Sequence, residues 1–499
     1  MRDFINSRRD FLKFAGSMAG ASLLRPVDAL GQGAAAQSPV SQGLPSPAAD
    51  YTLRIAATPV EIAPNHIVSV TTYNGQFPGP LLRMKEGQPV TVDIYNDTDV
   101  PEQLHWHGQK VPADVDGAAE EGTPYIPAHG KRSITFTPQP AGFRFYHTHN
   151  RAGADLHAGL YGGQAGQVYV EPKHEAGNYD REIFLVLKEF DPSFSRGGDM
   201  AMDFLAPATR VKALEDSGES AMKASLAKGM PHGYEVGYRY FTINGRMLAH
   251  GEPIRVKAGE RVLFHVLNAS ATEIRSLALP GHVFQVVALD GNCVPARAEV
   301  PMLWLGTAER VSAVVEMNHP GVWVMGDTAD DDRAHGMGIV VEYAGHSGKP
   351  QWVTPNPFHW NYTAFGKSGV VPAPDEVIEM TFAKANAADH GFNRWTINGV
   401  TFSDENAGPA YHLREGRRYR LRMRNASDDI HPIHLHRHSF ELTKVAGVST
   451  AGVMKDVVMV GGYQEVEVDF VADNPGLTLF HCHQQLHMDY GFMSLFDYV

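Results

Sequence analysis

The chain has 499 residues and 25 histidines, so chance would place about one His-x-His pair in it. It holds five: His105/His107, His147/His149, His434/His436, His436/His438 and His481/His483, the last flanking Cys482. Residues two apart on a β-strand project from the same face, so each pair can aim two imidazoles at one point while the residue between turns away. That is the spacing of metal ligation. Histidines that are merely buried and satisfied by carbonyls are the plainer reading, as is a zinc site. A zinc site closes with four ligands and needs neither eight imidazoles nor a cysteine between two of them.

Histidines so spaced need strands to hold them, and the chain repeats one strand pattern three times. The first copy has Asn74-Gly75, Gly87-Gln88-Pro89-Val90 and Asn96, and the second Asn244-Gly245, Gly259-Glu260-Arg261-Val262 and Asn268. The third has Asn398-Gly399, Gly416-Arg417-Arg418-Tyr419 and Asn425, and the Gly-to-Asn interval is nine residues in every copy. The intervening stretches, Val90 to Tyr95, Val262 to Leu267 and Tyr419 to Arg424, favour β-structure. A glycine before another strand recurs in Gly142-Phe143-Arg144-Phe145, Gly321-Val322-Trp323-Val324 and Gly476-Leu477-Thr478-Leu479. With 49 Gly and 32 Pro as punctuation, the chain reads as all-β, each copy an antiparallel sandwich or Greek-key barrel.

The repeat places the histidines in register. His105 and His107 follow Asn96 by nine and eleven residues, as His434 and His436 follow Asn425. His147 and His149 follow Gly142 by five and seven, as His481 and His483 follow Gly476. The middle copy has Leu277, Leu279, Gly326 and Thr328 instead, so the second domain is expected to be a spacer and the eight imidazoles to meet between the first and third. Parity separates a second site. Cys482 points opposite to His481 and His483, and His431 opposite to His434 and His436; with His487 they form a His2Cys set, the ligand type of blue electron-transfer copper.

Composition bounds the rest. At roughly 150 residues per domain the length allows about three domains. A balance of 43 basic against 56 acidic residues, net −13, with no long basic run, leaves nucleic acid an unexpected partner. Two cysteines, Cys293 and Cys482, cannot make a disulfide scaffold, and Cys293 is expected to be a buried free thiol. After Leu24 no apolar run approaches the ~20 residues that span a bilayer, so stable membrane insertion is not expected. Ser7-Arg8-Arg9-Asp10-Phe11-Leu12-Lys13, an apolar stretch from Phe14 to Leu24, and Ala34-Ala35-Ala36 resemble a twin-arginine export signal. The expected layout is a signal over 1–36, domains over 51–173, 180–345 and 376–499, and a linker over 346–375 that crosses the surface. An insertion over about 192–233 interrupts the second domain, helical from about Pro207 to Lys228.

His105-Trp106-His107-Gly108, Tyr146-His147-Thr148-His149, His431-Pro432-Ile433-His434-Leu435-His436 and His481-Cys482-His483 with His487 resemble the four ligand motifs of the multicopper oxidases, the laccase-like family. The resemblance covers essentially the whole chain beyond the signal. It implies three consecutive cupredoxin-like Greek-key β-barrel domains and four copper ions. The type 1 copper would take His431, Cys482 and His487, and the type 2 copper His105 and His434. One type 3 copper would take His107, His147 and His483, the other His149, His436 and His481. It implies one-electron oxidation of phenols or related small donors, entering through an exposed edge of His431 or His487. Electrons would pass from Cys482 to His481 and His483, with four-electron reduction of O2 to water. Asp116 matches an acid that the family places near the type 2 copper, which implies a role in proton transfer; a turn-forming Asp before Gly117 is the plainer reading.

Two departures from the family pattern stand out. Phe492 occupies the place of an axial Met, which predicts a high type 1 potential, with Met493 the alternative should the loop shift by one residue. Met488 stands where several bacterial relatives carry a Glu, and Asp489 could substitute for it or be a structural carboxylate. His438 lies beyond the matched positions and is expected to pack. Cu(I) or another metal ion is the alternative donor, which the sparse Met200, Met202, Met222 and Met230 do not favour. A structural cell-envelope relative without copper is the alternative of another class. A periplasmic or otherwise exported monomer is expected.

Overall fold

A computed structural model describes residues 48–173, 178–195, 212–227 and 233–499. The repeated asparagines explain why three stretches of unlike sequence fold alike. Asn74, Asn244 and Asn398 each take a left-handed turn conformation, with φ of 54°, 54° and 51°, which asparagine tolerates better than most side chains. Each side-chain oxygen accepts a backbone N–H from a neighbouring strand, from Arg54, Val186 and Thr381 respectively. The second asparagine of each copy, Asn96, Asn268 and Asn425, is fully buried. Its amide donates to carbonyls of a crossing loop: Ile126 and Pro127, Leu305, Val460 and Gly461. A buried amide so satisfied pins loop to strand.

Each copy closes two sheets over an apolar core, and the molecule is three cupredoxin-like Greek-key β-barrels in succession. In the first, one four-stranded sheet runs His66–Tyr73, Tyr51–Ala63, Val90–Asn96, Lys131–Phe136, and the other Gly79–Lys85, Ala165–Glu171, Gly142–His147, His105–His107. The second and third each pair a six-stranded with a five-stranded sheet. The five-stranded sheet of the third barrel is ordered Tyr411–Leu413, Met493–Tyr498, Thr478–Cys482, His431–Leu435, Val457–Val460. His105–His107 pairs antiparallel with Gly142–His147, and His431–Leu435 with Thr478–Cys482. The equivalent strands of the second barrel, Arg275–Ala278 and Val322–Gly326, meet at Ala278 and Gly326. There Leu277 and Leu279 fill the core.

The connection over 346–375 does more than cross the surface, which corrects the sequence expectation. Trp360, Tyr362 and Phe365 are buried in one apolar cluster with residues of the second and third barrels, and the Tyr362 hydroxyl donates to Glu309 at 2.5 Å. Each such aromatic contributes about 2–3 kcal/mol by burial, so the connection joins the two cores. A second correction concerns Cys293. Along Asn292–Val300 exposure alternates, and Cys293 falls on the solvent side, an exposed thiol. In the insertion, Arg181–Ser195 continues as strand to Ser195, paired with Glu235 of the returning strand. The helix Lys212–Ala227 packs against Glu376–Asp389 of the third barrel. The signal over 1–36 and Met200, Met202 and Met230 lie outside the described residues, as does the side chain of Met222.

Candidate metal centre

The His-x-His pairs of the first and third barrels are brought together, and all eight of their imidazoles are buried. Three groups of ligand atoms form there, each lying within 4.8 Å of one another: His105, His107 and His434; His107, His147 and His483; His149, His436 and His481. His107 Nδ1 stands 3.4 Å from His147 Nε2, which stands 3.3 Å from His483 Nε2. His436 Nε2 stands 3.0 Å from His481 Nε2. The rings of His107 and His434 stack at 3.8 Å and those of His105 and His436 at 4.0 Å. Burial, reinforced by neighbouring imidazoles, holds His107, His149, His434, His436 and His483 well below the ordinary histidine range, and burial pushes His481 down to about 3. Neutral imidazoles, as burial keeps these six, are the protonation state that metal ligation needs.

The outward nitrogens are held while inward ones are left over. His147 and His481 each turn Nδ1 to a carbonyl, of Thr148 and Cys482, and His434 turns Nδ1 to Asp456. His105 Nε2, His434 Nε2, both nitrogens of His149 and His483 Nδ1 are buried without a hydrogen-bond partner. Orphaned polar atoms gathered in one place call for a metal ion, and imidazole with thiolate nearby suits copper. The Asp116 carboxylate lies 2.8 Å from His436 Nδ1 and 3.0 Å from His105 Nδ1, so it engages two imidazoles as well as preceding a turn. Gly117 serves that turn, at φ 100°: a Cβ there would stand 1.9 Å from the Leu104 carbonyl oxygen.

On the other face of Thr478–Cys482, His431, Cys482 and His487 form a separate buried group. Cys482 Sγ is 3.5 Å from His487 Nδ1 and 3.8 Å from His431 Nδ1. Burial raises the thiol pKa, so a cation is needed to hold it as thiolate. The Phe492 ring is 4.8 Å from that of His431. Met493, one residue on and of opposite parity, lies in another apolar cluster with Ala118, Leu479 and Met488. His431 and His487 are 0% and 1% exposed, which corrects the expectation of an exposed imidazole edge. Trp395, itself buried, covers them with its ring 4.2 Å from His487 and 4.8 Å from His431.

The remaining candidates resolve by contact. Asp489 accepts from the backbone of Ala152 and Gly153 and from Gln485, and burial pushes it up to about 7; it ties the helix Gln485–Asp489 to the loop after His149. His438 bonds the His436 carbonyl and the Tyr498 hydroxyl and joins none of the ligand groups. Sequence reasoning passed over Trp395, Glu121, Arg310 and Asp456. Glu121 accepts from Leu479 N–H at 2.6 Å and stands 3.5 Å from His436 Nδ1, its pKa raised well above the ordinary range by burial and by Asp116. Asp456 offered one signal, a Lys455-Asp456 charge pair inside the apolar run Val453 to Val460.

The fold and this pair of sites define a three-barrel copper oxidase. Multicopper oxidase family profiles match residues 54–175, 211–343 and 372–499. A multicopper oxidase MmcO of Mycobacterium tuberculosis is 30% identical over 452 residues, 87% of this chain and 84% of its own. Laccase-2 of Fomitopsis schrenkii is 24% identical, covering 84% of each chain. The crystal structure of a multicopper oxidase from Pseudomonas thermotolerans superposes with a TM-score of 0.66 at 24% identity, over 91% of this chain and all of that one. The chain belongs to the multicopper oxidase family. It is a laccase-like, copper-dependent oxidoreductase with O2 as acceptor and a reducing substrate as donor. Among the described residues no helix is long and apolar enough to cross a membrane.

Proposed function

We propose that the chain binds four copper ions and oxidises phenols or related small one-electron donors while reducing O2 to water. The observation that carries this is the sequence His481-Cys482-His483, in which one cysteine of the His2Cys group is flanked by imidazoles of two different groups in the interdomain cluster. His431, Cys482 and His487 would hold the type 1 copper and His105 and His434 the type 2. His107, His147 and His483 would hold one type 3 copper and His149, His436 and His481 the other. Bound copper supplies the one-electron redox steps and the binding of O2. The protein supplies the rest. Buried imidazoles exclude water from the cluster, Trp395 shields the type 1 ligands, and Asp116, which holds the outward nitrogens of His105 and His436, is the residue we assign to proton transfer. Residues 51–173, 180–345 and 376–499 are the proposed domains. Export by the twin-arginine segment over 1–36 to the periplasm or beyond, as a monomer, completes the reading.

Metal-ion donors are the second reading. His431 and His487 lie buried beneath Trp395, and the carboxylates of Asp428 and Asp429 sit 2.6 and 2.7 Å from Lys384 Nζ, which lies 5.7 Å from the Trp395 ring. O2 uptake by the copper-loaded protein, measured with a methoxyphenol and separately with anaerobically prepared Cu(I), decides between them. Fast phenol turnover with weak Cu(I) turnover is expected; the reverse would make the protein a metal oxidase, and uptake with neither would overturn the oxidase reading.

A further inference from the structure

Arg144, Asp290, Arg310, Lys455 and Asp456 come from all three barrels, and each is fully buried. Arg310 of the second barrel grips the Asp456 carboxylate of the third with both terminal nitrogens, at 2.6 Å each. Arg144 of the first adds a bond at 3.1 Å. Asp290, again of the second barrel, accepts the backbone N–H of Asp456 and Val457 at 3.2 and 3.1 Å and pairs with Lys455 at 2.8 Å. No space is left beside this group: a Cβ on Gly108, which follows His107, would lie 2.6 Å from Asp456 Oδ2 and 2.8 Å from Arg310 Nη2.

Asp456 in turn holds two imidazoles of the cluster. Its Oδ1 is 3.1 Å from His107 Nε2, and its carbonyl accepts from His434 Nδ1 at 2.7 Å. With Nε2 so engaged, His107 meets His147 through Nδ1, whereas His147 and His483 face each other through Nε2. With Nδ1 engaged, His434 leaves Nε2 buried and without a partner. A partner on the outer nitrogen fixes tautomer and orientation of a ligating histidine. Buried ion networks are a poor route to stability, since apolar residues of equal volume serve as well or better. A network retained here and attached to two ligands points to positioning.

We propose that Arg310 and Asp290 are positioning residues of the oxygen-reducing cluster. Through Asp456, the barrel that carries no ligand sets which ring nitrogens of His107 and His434 face the metal pocket. The inference rests on the copper reading above. Its test loads copper into full-length wild type, Arg310→Lys, Arg310→Met and Asp290→Asn, with Arg422→Met, in a partly buried ion pair on the third barrel that touches no histidine of the cluster, as the control. Bound copper per chain, blue absorption, the electron paramagnetic resonance spectrum of the non-blue copper, and the melting temperature of the stripped proteins are read together. Arg310→Lys and Asp290→Asn are expected to keep the blue absorption and lose at least half of the non-blue signal, while the control matches wild type. Variants that melt lower yet match wild type in copper content and non-blue spectrum would overturn the proposal and leave the network merely structural. Should Arg310→Met fail to fold, Arg310→Lys keeps the charge and removes only the two-pronged grip, so the spectrum still decides. A wild-type protein that takes up no copper would instead defeat the proposed function before any variant is compared.

Discussion

Phe492 shows how one side chain can set a chemical property. Its ring packs on His431, Phe382 and Trp395, and a phenyl ring would offer a copper held by His431, Cys482 and His487 no donor atom. A thioether would stabilise Cu(II), and its absence favours the reduced state. Phe492→Met is therefore expected to lower the type 1 potential in a redox titration followed by blue absorption; a potential that stayed or rose would show that residue 492 does not face the metal. Met493 cannot take the same part, because its side chain lies among Ala118, Leu479 and Met488.

At the scale of the element, the strand Thr478–Cys482 serves two sites because it has two faces. His481 looks to the interdomain cluster and Cys482 to the His2Cys group, and the next residue, His483, turns back to the cluster. Cys482→Ser is expected to abolish blue absorption and phenol-driven O2 uptake and to lower bound copper by one per chain, leaving the non-blue spectrum in place. Loss of all copper would mean that the two sites do not load independently. Parity of this kind is what made the sites readable from sequence, since it depends only on spacing within a strand. The threefold pattern was readable for a related reason: the two asparagines of each copy bond in the same way, one to a neighbouring strand and one to a crossing loop. What spacing could not show is packing between distant segments. Trp395 covers His487 from another strand, Arg310 and Asp456 are 146 residues apart, and the aromatics of the connection at 360–365 are buried only because two barrels close around them. The exposure of Cys293 depends on the same packing, as a two-faced strand puts a thiol outside as readily as in.

The whole molecule carries charge where the second and third barrels meet. Glu235 bonds Asn393 across that boundary, and burial, then the nearby Asp429, push its pKa up to about 8 against the opposing pull of Lys384, with Glu273 and Asp428 adding to the rise. A carboxyl whose folded pKa is raised binds its proton more tightly folded than unfolded, so stability falls as pH climbs from about 4.5 to about 8, by at most roughly 1.4 kcal/mol per pH unit. Copper-stripped Glu235→Gln is expected to melt above wild type at pH 9 and to converge with it by pH 5; a gap that did not change with pH would reject this account. The same scale decides when the cluster can exist. His147 and His483 are 336 residues apart, so at about 5–20 residues per second the ribosome needs tens of seconds between them. The first barrel emerges with half a pocket, and the histidines that complete it lie some 300 residues further along the chain. A product that stops before the third barrel therefore cannot assemble any of the three histidine groups.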